Sequence, residues 1–594
     1  RYERMDTAFE RDDWIATPAA QALLRNNRPL LAYIAGKPAA FTSKDHTFFP
    51  GETVEKQIIV INNSRETVTC DSQWSLGLPS PVTGNKQITV ATGQQERIAP
   101  RFELPATLAP GQYELTATSR FSSGETQQDT FKLDVLPRPA PAALNAKVAL
   151  FDPKGETTDV LVSCGMVVDL VDVGADLSGY DIFIVGQSAL TPSRVAPDIG
   201  RVRDGLKVVI FEQTAEVLEK RFGFRVAEYG LRQAFPRVPD HPILAGLTTE
   251  HLRDWRGEAS VLAPRLKYEL RPRYGPTVQW CDIPVTRLWR CGNRGNVASV
   301  LIEKPARGDF LPILDGGFSL QYSPLLEYRE GKGMVLFCQM DVTGRSESDP
   351  AAKTLARNLV QYVSAWKPNP QRKVVYAGDA AGKIHLQSAG IPVDSYDGGK
   401  LSPDQILVVT TNSAEKLRGR APVIADWLKA GGNLLAIGLD APEANTLLPF
   451  TVTMKRAEHI SASFDPPGVN SLLAGVGSAD VHNRDPQEFP LLSAGATILG
   501  DGVLAKAEDA NVVFCQMAPW QFADTSQLNL KRTHRRAAFL VSRLLANMGA
   551  GAATPVLERF HQHVNPAKPE KRWLEGLYLD QPEEWDDPYR FFRW

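Results

Sequence analysis

"VLFCQMDV", at residues 335–342, and "VVFCQMAP", at residues 512–519, share the tetrapeptide FCQM 177 positions apart. Each begins with a continuous apolar run, the pattern of a strand that is covered on both faces of a sheet. Each is followed by an amphipathic segment, "AAKTLARNLVQYVSAW" from Ala351 and "HRRAAFLVSRLLANM" from His534. We therefore predict that the two stretches are equivalent strands, each followed by a helix, in a sheet that is built twice.

Further pairs of segments keep the same order. "KVALFDPKG" from Lys147 matches "KVVYAGDAAG" from Lys373, and five such pairs lie at offsets of 224 to 229 residues. Because the offset falls from 229 to 177 before FCQM, the first copy carries 52 additional residues, at roughly 256–330. Alternating strands and helices predict two parallel sheets. The predicted strands are 148–151, 182–185, 208–211 and 335–338 in one sheet, and 374–376, 406–409, 434–437 and 512–515 in the next.

The segment before these modules has a different pattern. Short alternating stretches such as "VEKQIIVIN" and "QYELTATSRF", separated by "FPGE" and "APGQ" turns, predict an immunoglobulin-like β-sandwich. Thr17 suits the N-cap, and Pro18 the first position, of a short helix ending near Arg25. The predicted order is an exit helix and connector (1–40), the sandwich (41–137), a Pro/Ala-rich linker (138–146), a first module with a β-rich insertion (147–368), a second module (369–552) and an aromatic tail (553–594).

Composition excludes several classes of partner. With 66 basic and 68 acidic residues, the net charge of -2 provides no field for nucleic acid or an anionic membrane. No apolar run approaches the about 18 residues that span a bilayer. The cysteines form no CxxC pair and the nine histidines are scattered, so we expect no metal or other cofactor. We expect most cysteines to be buried thiols, and whether Cys281 and Cys291 pair across a hairpin stays open.

Polar residues follow the strands at the sheet edge where ligands of open parallel sheets bind. They are Glu212, Gln213, Gln339, Asp341, Asp440 and Gln516. For Gln339 and Gln516 we interpret the amides as holding neighbouring loops, with ligand contact as the alternative.

Two aromatic regions could contact a glycan. In the insertion, a sugar-stacking surface could be formed by Trp280, Trp289, Arg290, Asn293 and Arg294. The alternative is a β-hairpin extension that packs on the sheet or on a partner. The last residues, 573–594, contain seven aromatics, and we expect them to pack on another domain or subunit. Trp585 and Trp594 are the candidates there for stacking on sugar.

The strand order and the stretch "DHPILAGL" at 240–247 make both modules resemble the flavodoxin-like α/β fold of class I glutamine amidotransferases. The resemblance implies a nucleophilic cysteine on a sharp strand-to-helix turn. The matching turns, "VVIFEQTAEV" and "LLAIGLDAPEA", carry Glu212 and Asp440 in that region, so we expect this chemistry to be absent. Cys338 and Cys515 lie inside apolar strands, where burial disfavours the reactive thiolate.

The order of domains resembles the carboxyl-terminal half of large bacterial glycoside hydrolases. "FFPGETVEKQIIVINNSR" resembles family 2, and amidotransferase-like domains without a nucleophile resemble the trimerisation domain of family 42 β-galactosidases. The resemblance implies a catalytic barrel of about 250 residues outside this sequence, as an upstream domain or subunit. It also implies a glycan and a homo-oligomer as partners. The location stays open, and the carbohydrate-active interpretation and the missing initiator Met favour a secreted or periplasmic one.

The sequence therefore supports three alternative functions. The first is a non-catalytic accessory and assembly portion of a carbohydrate-active protein. The second is a stand-alone glycan-binding or oligomerisation protein. The third is an independent hydrolase with Glu212 or Asp440 in a cleft at the carboxyl ends of the strands.

Overall fold

The structure is a computed structural model of a multidomain, mixed α/β protein with several sheets. It describes residues 10, 15–142, 144–259, 261, 270–271, 275–280, 283–286, 294–343, 349–413, 417–524, 527–561 and 576–580. The chain divides into two compact units: one holds residues 1–138, 254–257 and 347–351, and the other holds 139–253, 258–346 and 352–594. Within the described ranges, no helix is long and apolar enough to cross a membrane.

The described strands of residues 1–138 are β1 (Leu30–Ala35), β2 (Thr47–Phe48), β3 (Thr53–Glu55), β4 (Gln57–Asn62), β5 (Val68–Leu76), β6 (Val82–Val90), β7 (Gln94–Ile98), β8 (Arg101–Glu103), β9 (Gly111–Phe121) and β10 (Thr126–Val135). One sheet has the order β1-β4-β7 and another has the order β2-β10-β9-β5-β6. Ile58 and Val60 from the three-stranded sheet share a core with Cys70 and Ala117 from the five-stranded sheet. The alternating apolar pattern thus buries one face of each sheet against the other.

From residue 148 to residue 338 the strands are β11 (Val148–Phe151), β12 (Asp169–Leu170), β13 (Ile182–Val185), β14 (Lys207–Ile210), β15 (Val226–Leu231), β16 (Phe235–Pro236), β17 (Trp255–Glu258), β18 (Leu270–Arg271), β19 (Gly275–Trp280), β20 (Ile283–Thr286), β21 (Arg294–Gly295), β22 (Ala298–Glu303), β23 (Asp309–Gly316), β24 (Tyr322–Glu330) and β25 (Gly333–Cys338). The largest sheet of these strands, which we call the first sheet, has the order β12-β11-β13-β14-β25-β24-β22-β15. Its first four pairs are parallel, and β24 and β22 continue it antiparallel. The four predicted strands are confirmed, with β14 ending one residue earlier than predicted.

The later strands are β26 (Lys373–Ala377), β27 (Val393–Ser395), β28 (Gln405–Thr410), β29 (Asn433–Ile437), β30 (Thr453–His459), β31 (Gln487–Ala494), β32 (Thr497–Leu499), β33 (Leu504–Lys506) and β34 (Val512–Cys515). The second sheet has the order β27-β26-β28-β29-β34-β33-β32, with parallel pairs from β27 to β34. Its strand residues alternate between two cores: Ile406 and Val408 belong to one, Leu407 and Val409 to the other. This sheet is therefore covered on both faces, as predicted.

The duplication of the FCQM strand is confirmed by its neighbours. β25 lies between β14, parallel, and β24, antiparallel, and β34 lies in the same way between β29 and β33. Cys338 Sγ lies 3.8 Å from Met340 O, and Cys515 Sγ lies 3.5 Å from Met517 O. Cys338 and Cys515 are both fully buried. Each thiol lies at the equivalent position of the equivalent strand in its own sheet.

The α-helices of the described ranges are α1 (Pro18–Asn26), α2 (Glu156–Ser163), α3 (Ala215–Val217), α4 (Pro350–Ala365), α5 (Ala380–Ser388), α6 (Ala421–Lys429), α7 (Ala441–Leu447), α8 (Leu528–Asn547) and α9 (Val556–His561). The predicted N-cap of α1 is confirmed, because the Thr17 side chain accepts a hydrogen bond from Ala20 N at 3.3 Å. α4 and α8 follow the two FCQM strands, and their predicted apolar stripes are buried, with Leu355 and Leu544 at 0% exposure. The amphipathic spacing of these helices thus identified their inner faces.

The carboxyl-terminal residues return to the first sheet. Phe560 of α9 and Leu577 and Tyr578 of the 576–580 segment belong to the apolar core of that sheet. Tyr578 Oη donates to Glu303 O at 2.7 Å, which fixes the ring against β22. The rest of the predicted aromatic tail lies outside the described residues, so the prediction for 573–594 as a whole stays a prediction.

Candidate functional site

The carboxyl ends of β14 and β25 meet at one edge of the first sheet, because the two strands pair in parallel with Ile210 beside Phe337. Glu212 follows β14 by two residues and Asp341 follows β25 by three. The sheet topology therefore brings these two acidic residues, 129 positions apart in sequence, to the same edge.

Glu212 binds the chain that leaves β25. Its Oε1 accepts a hydrogen bond from Thr343 N at 2.8 Å, and its Oε2 accepts one from Thr343 Oγ1 at 2.7 Å. Its own backbone carbonyl accepts a hydrogen bond from Ser188 N at 2.8 Å. Ser188 adopts a positive φ of 46°, which is uncommon for a residue with a side chain. Glu212 thus holds two loops at this edge.

The electrostatics of this edge are those of a buried carboxyl pair. Burial and the neighbouring Asp341 carboxylate raise the pKa of Glu212 to about 8, against the opposing effect of the hydrogen bonds from Thr343. Asp341 is fully buried and accepts a hydrogen bond from Ser299 Oγ at 3.2 Å. Burial, followed by the charge of Glu212, also raises the pKa of the Cys338 thiol well above its ordinary value. The thiol is therefore protonated at neutral pH.

Gln213 and Gln339 join the ends of three strands. The Gln213 side chain donates to Gly186 O at 2.8 Å and accepts from Leu190 N at 3.1 Å, beyond β13. The backbone N–H of Gln213 donates to Gln339 Oε1, beyond β25, at 3.1 Å. The interpretation of Gln339 as an amide that holds a neighbouring loop is confirmed by this bond.

A carboxyl that keeps its proton near neutral pH has the protonation state of a general acid. The Glu212 side chain is 1% exposed, however, and both of its oxygens accept hydrogen bonds from Thr343. A substrate would have to displace Thr343 to reach this carboxyl. The arrangement as folded therefore positions loops, and it offers no exposed reacting atom at Glu212.

The corresponding edge of the second sheet is built differently. Asp440 is the N-cap of α7: its Oδ1 accepts from Glu443 N at 2.9 Å, and Glu443 Oε2 accepts from Asp440 N at 3.3 Å. This capping box satisfies the first N–H groups of the helix. The Gln516 amide donates to the sulfur of Met454 at 3.8 Å, so Gln516 contacts a neighbouring strand instead of repeating the bond of Gln339.

The glycan candidates from the insertion and the tail are mostly not described. Trp280 is the last residue of β19, and its backbone pairs with Ile283 in β20. Arg294 lies in β21, with 64% of its side chain exposed and its Nε 3.0 Å from Glu258 Oε1. Outside the described residues lie Trp289, Arg290, Asn293, Trp585, Trp594 and the pair Cys281 and Cys291.

Sequence reasoning missed Thr343 and Ser299, the hydroxyl partners of the two acids. Neither belongs to a motif, and Ser299 reaches Asp341 only because β22 is close to the end of β25 in the fold. Among the residues that the structure describes, no group of three or more His, Cys, Asp or Glu side chains is placed to hold a metal ion.

Comparisons with known proteins give local similarities. No family model matches the chain, and no curated protein sequence matches it. A CARDB domain from Pyrococcus furiosus is 13% identical, covers 18% of this chain and 87% of that chain, and has a TM-score of 0.15. A family 123 glycoside hydrolase from Clostridium perfringens is 13% identical over 21% of this chain and 30% of its own, with a TM-score of 0.15. A β-glucosidase from Listeria innocua is 14% identical over 18% of this chain and 16% of its own, with a TM-score of 0.14. The chain thus has weak, partial structural similarity to glycoside hydrolases and matches less than a third of the length of either one.

Proposed function

We propose that this chain is the non-catalytic accessory and assembly portion of a carbohydrate-active protein of the glycoside hydrolase class, whose catalytic barrel lies outside the sequence. In this proposal residues 41–137 are an immunoglobulin-like sandwich, and residues 147–368 and 369–552 are flavodoxin-like modules of the amidotransferase type. The remaining predicted segments, 1–40, 138–146 and 553–594, are connectors and a tail. A homo-oligomer belongs to the same proposal.

The observation that carries the proposal is the structural role of Glu212 and Asp440 in the two strand-to-helix turns. An amidotransferase-type enzyme requires a nucleophile there, beside a base. Glu212 instead binds Thr343 through both carboxylate oxygens, and Asp440 caps α7. Both side chains thus contribute to the structure at the positions where catalysis would need a free reacting group.

Two ion pairs between the two modules support an assembly role: the Arg237 pair is buried, and the Arg543 pair has its acid, Asp309, 14% exposed. Arg237 Nη1 lies 3.0 Å from Asp480 Oδ2, and Arg543 Nη1 lies 2.8 Å from Asp309 Oδ1. Buried charges held at such distances require a defined geometry, because separating them leaves each one desolvated and unpaired. The two modules therefore suit a rigid platform on which a catalytic domain or another subunit is positioned.

An activity assay on the purified chain tests the proposal. We expect no turnover of p-nitrophenyl β-galactoside or β-glucoside above the buffer rate, by the chain itself or by E212Q and D440N. Turnover by the chain that E212Q abolishes would overturn the proposal. The encoded reading frame upstream of residue 1 gives a second test: a barrel-sized stretch of about 250 residues is expected, and a leader peptide alone would favour a stand-alone glycan-binding protein.

The second candidate is an independent hydrolase. The buried pair of Glu212 and Asp341, with the pKa of Glu212 raised to about 8, is the observation that favours it. In this reading displacement of Thr343 would open the carboxyl to substrate. A T343G variant would then hydrolyse the glycosides faster than the unmodified chain. If the chain has the accessory function, we expect both proteins to be inactive.

A further inference from the structure

A groove of about 610 Å³ lies at the edge of the second sheet opposite to the carboxyl ends of its strands. Lys373, the first residue of β26, lines the groove together with the turn at Gly331, before β25. Its remaining walls include the segments 368–372, after α4, and 549–553, after α8. The groove thus borders both modules at the amino ends of their strands, where the sequence predicted no site.

Backbone hydrogen bonding joins the segments 368–372 and 549–553, so the groove is preformed. Arg372 N donates to Gly549 O at 2.8 Å, and Arg372 forms a parallel bridge with Ala550. Gly549 has a φ of 101°, and a Cβ at this position would lie 2.8 Å from Pro370 O. Only glycine therefore allows the two segments to approach this closely. A preformed site loses less entropy when it binds a ligand.

Several of the ionic groups that line the groove are paired within the protein. Arg329 forms an ion pair with the buried Glu327, and Arg203 pairs with Glu330. Asp309 is paired with a cation too, at Arg543. With Arg372, Lys373 and Asp394 included, the lining holds four cationic and three anionic side chains. This formal charge of +1 provides no concentrated field for a polyanion or a polycation.

The rim of the groove combines hydrogen-bonding groups with apolar ring faces. Asn369, Gln371 and Asp394 are exposed and line it, and together they supply amide donors and carbonyl and carboxylate acceptors. Pro368 and Pro392 are exposed rings in the same wall. A pyranose ring has a rim of hydroxyl groups and an apolar C–H face, and this combination complements both kinds of surface.

We propose that this groove binds a neutral oligosaccharide, with Asn369 and Gln371 as hydroxyl-binding residues. The proposal rests on the carbohydrate-active function proposed above and names its ligand class and its site. The cavity volume falls within the range of about 300–1,000 Å³ that holds a drug-sized ligand, which suits a short oligosaccharide. The small net charge of the lining favours neutral sugars over polyuronic acids or acidic peptides.

The test uses the full chain and isothermal titration calorimetry. The probes are cellohexaose, xylohexaose, maltohexaose and β-1,4-galactohexaose, with hexagalacturonate as the anionic comparison. We expect at least one neutral hexasaccharide to bind, and we expect the double variant N369A/Q371A to weaken that binding at least tenfold. The matched control is Q94A/Q95A, which removes two exposed amides from β7 and should leave the affinity unchanged.

Three results would overturn the inference. They are no binding of any neutral hexasaccharide at millimolar concentration, binding that N369A/Q371A leaves unchanged, and binding of hexagalacturonate in preference to every neutral probe. Chromatography of the same incubations separates this inference from the proposed function. Hydrolysis of a hexasaccharide would overturn the accessory function, whereas groove binding without hydrolysis agrees with both.

Discussion

Asp580 is a buried carboxylate whose removal should destabilise the protein. Its Oδ1 lies 2.9 Å from Arg225 Nη1, and its Oδ2 accepts from Arg535 Nε at 3.0 Å. Burial opposes its ionisation, yet Arg535 and Arg225 together keep the pKa of Asp580 below its ordinary value. Asp580 thus binds the first sheet and α8 to the 576–580 segment.

The variant D580N keeps the shape of the side chain and removes its charge. Breaking a buried ion pair on one side costs about 3–5 kcal/mol, and the lower value applies here because Glu303 Oε1 still lies 3.1 Å from Arg535 Nη1. At about 2–4 °C per kcal/mol for a large domain, the expected fall in Tm is about 6 °C or more. The depressed pKa also sets how this stabilisation depends on pH. The stabilisation is present above the pKa of Asp580 in the unfolded chain, about 3.9, and it is lost as the pH falls through the lower pKa of the folded state.

Differential scanning calorimetry at pH 7 measures this effect. The matched control is E488Q, which removes one charge from the ion pair of Arg456 and Glu488, whose side chains are 73% and 67% exposed. Exposed pairs contribute about 0–1 kcal/mol, so E488Q should melt close to the unmodified protein. A D580N transition within 1 °C of the control would refute the argument that the 576–580 segment is held by this carboxylate.

The remaining predictions concern the carboxyl edge, the FCQM thiols and the carboxyl terminus. The raised pKa of Glu212 means that the folded state keeps a proton that the unfolded state releases, so stability falls between pH 4.5 and about 8. In urea titrations the free energy of unfolding of E212Q should therefore rise by at least about 1 kcal/mol relative to that of wild type from pH 5 to pH 8.5. Parallel pH profiles of the two proteins would contradict this. C338A and C515A should each lower the free energy of unfolding by about 1–2 kcal/mol. Both thiols should alkylate slowly in the folded protein, because burial raises the pKa of Cys515 to about 12 and that of Cys338 well above its usual value. Rapid labelling of either thiol would support the hypothesis of a reactive cysteine. Truncation at residue 575 removes buried apolar side chains that contribute about 2–3 kcal/mol each, so it should lower Tm, and an unchanged melting curve would contradict the packing of 576–580.

The sequence by itself determined the repeated architecture. Apolar runs in the same order, at offsets of 224 to 229 residues and of 177 for FCQM, located four parallel strands in each of the two sheets, because burial on two faces demands a continuous apolar strand. The Thr17 cap and the inner faces of α4 and α8 were equally readable, since capping and amphipathic spacing are local properties of a few consecutive residues. These predictions needed no knowledge of which elements come together.

The tertiary structure alone decided how the polar residues are used. Glu212 and Asp440 occupy matching turns in the sequence alignment of the two modules, yet one binds Thr343, 131 positions away, and the other caps its own helix. Arg225 meets Asp580 across 355 positions. A charged residue carries no periodic signal that names its partner, and its energy depends on distance and burial, which exist only after the chain has folded.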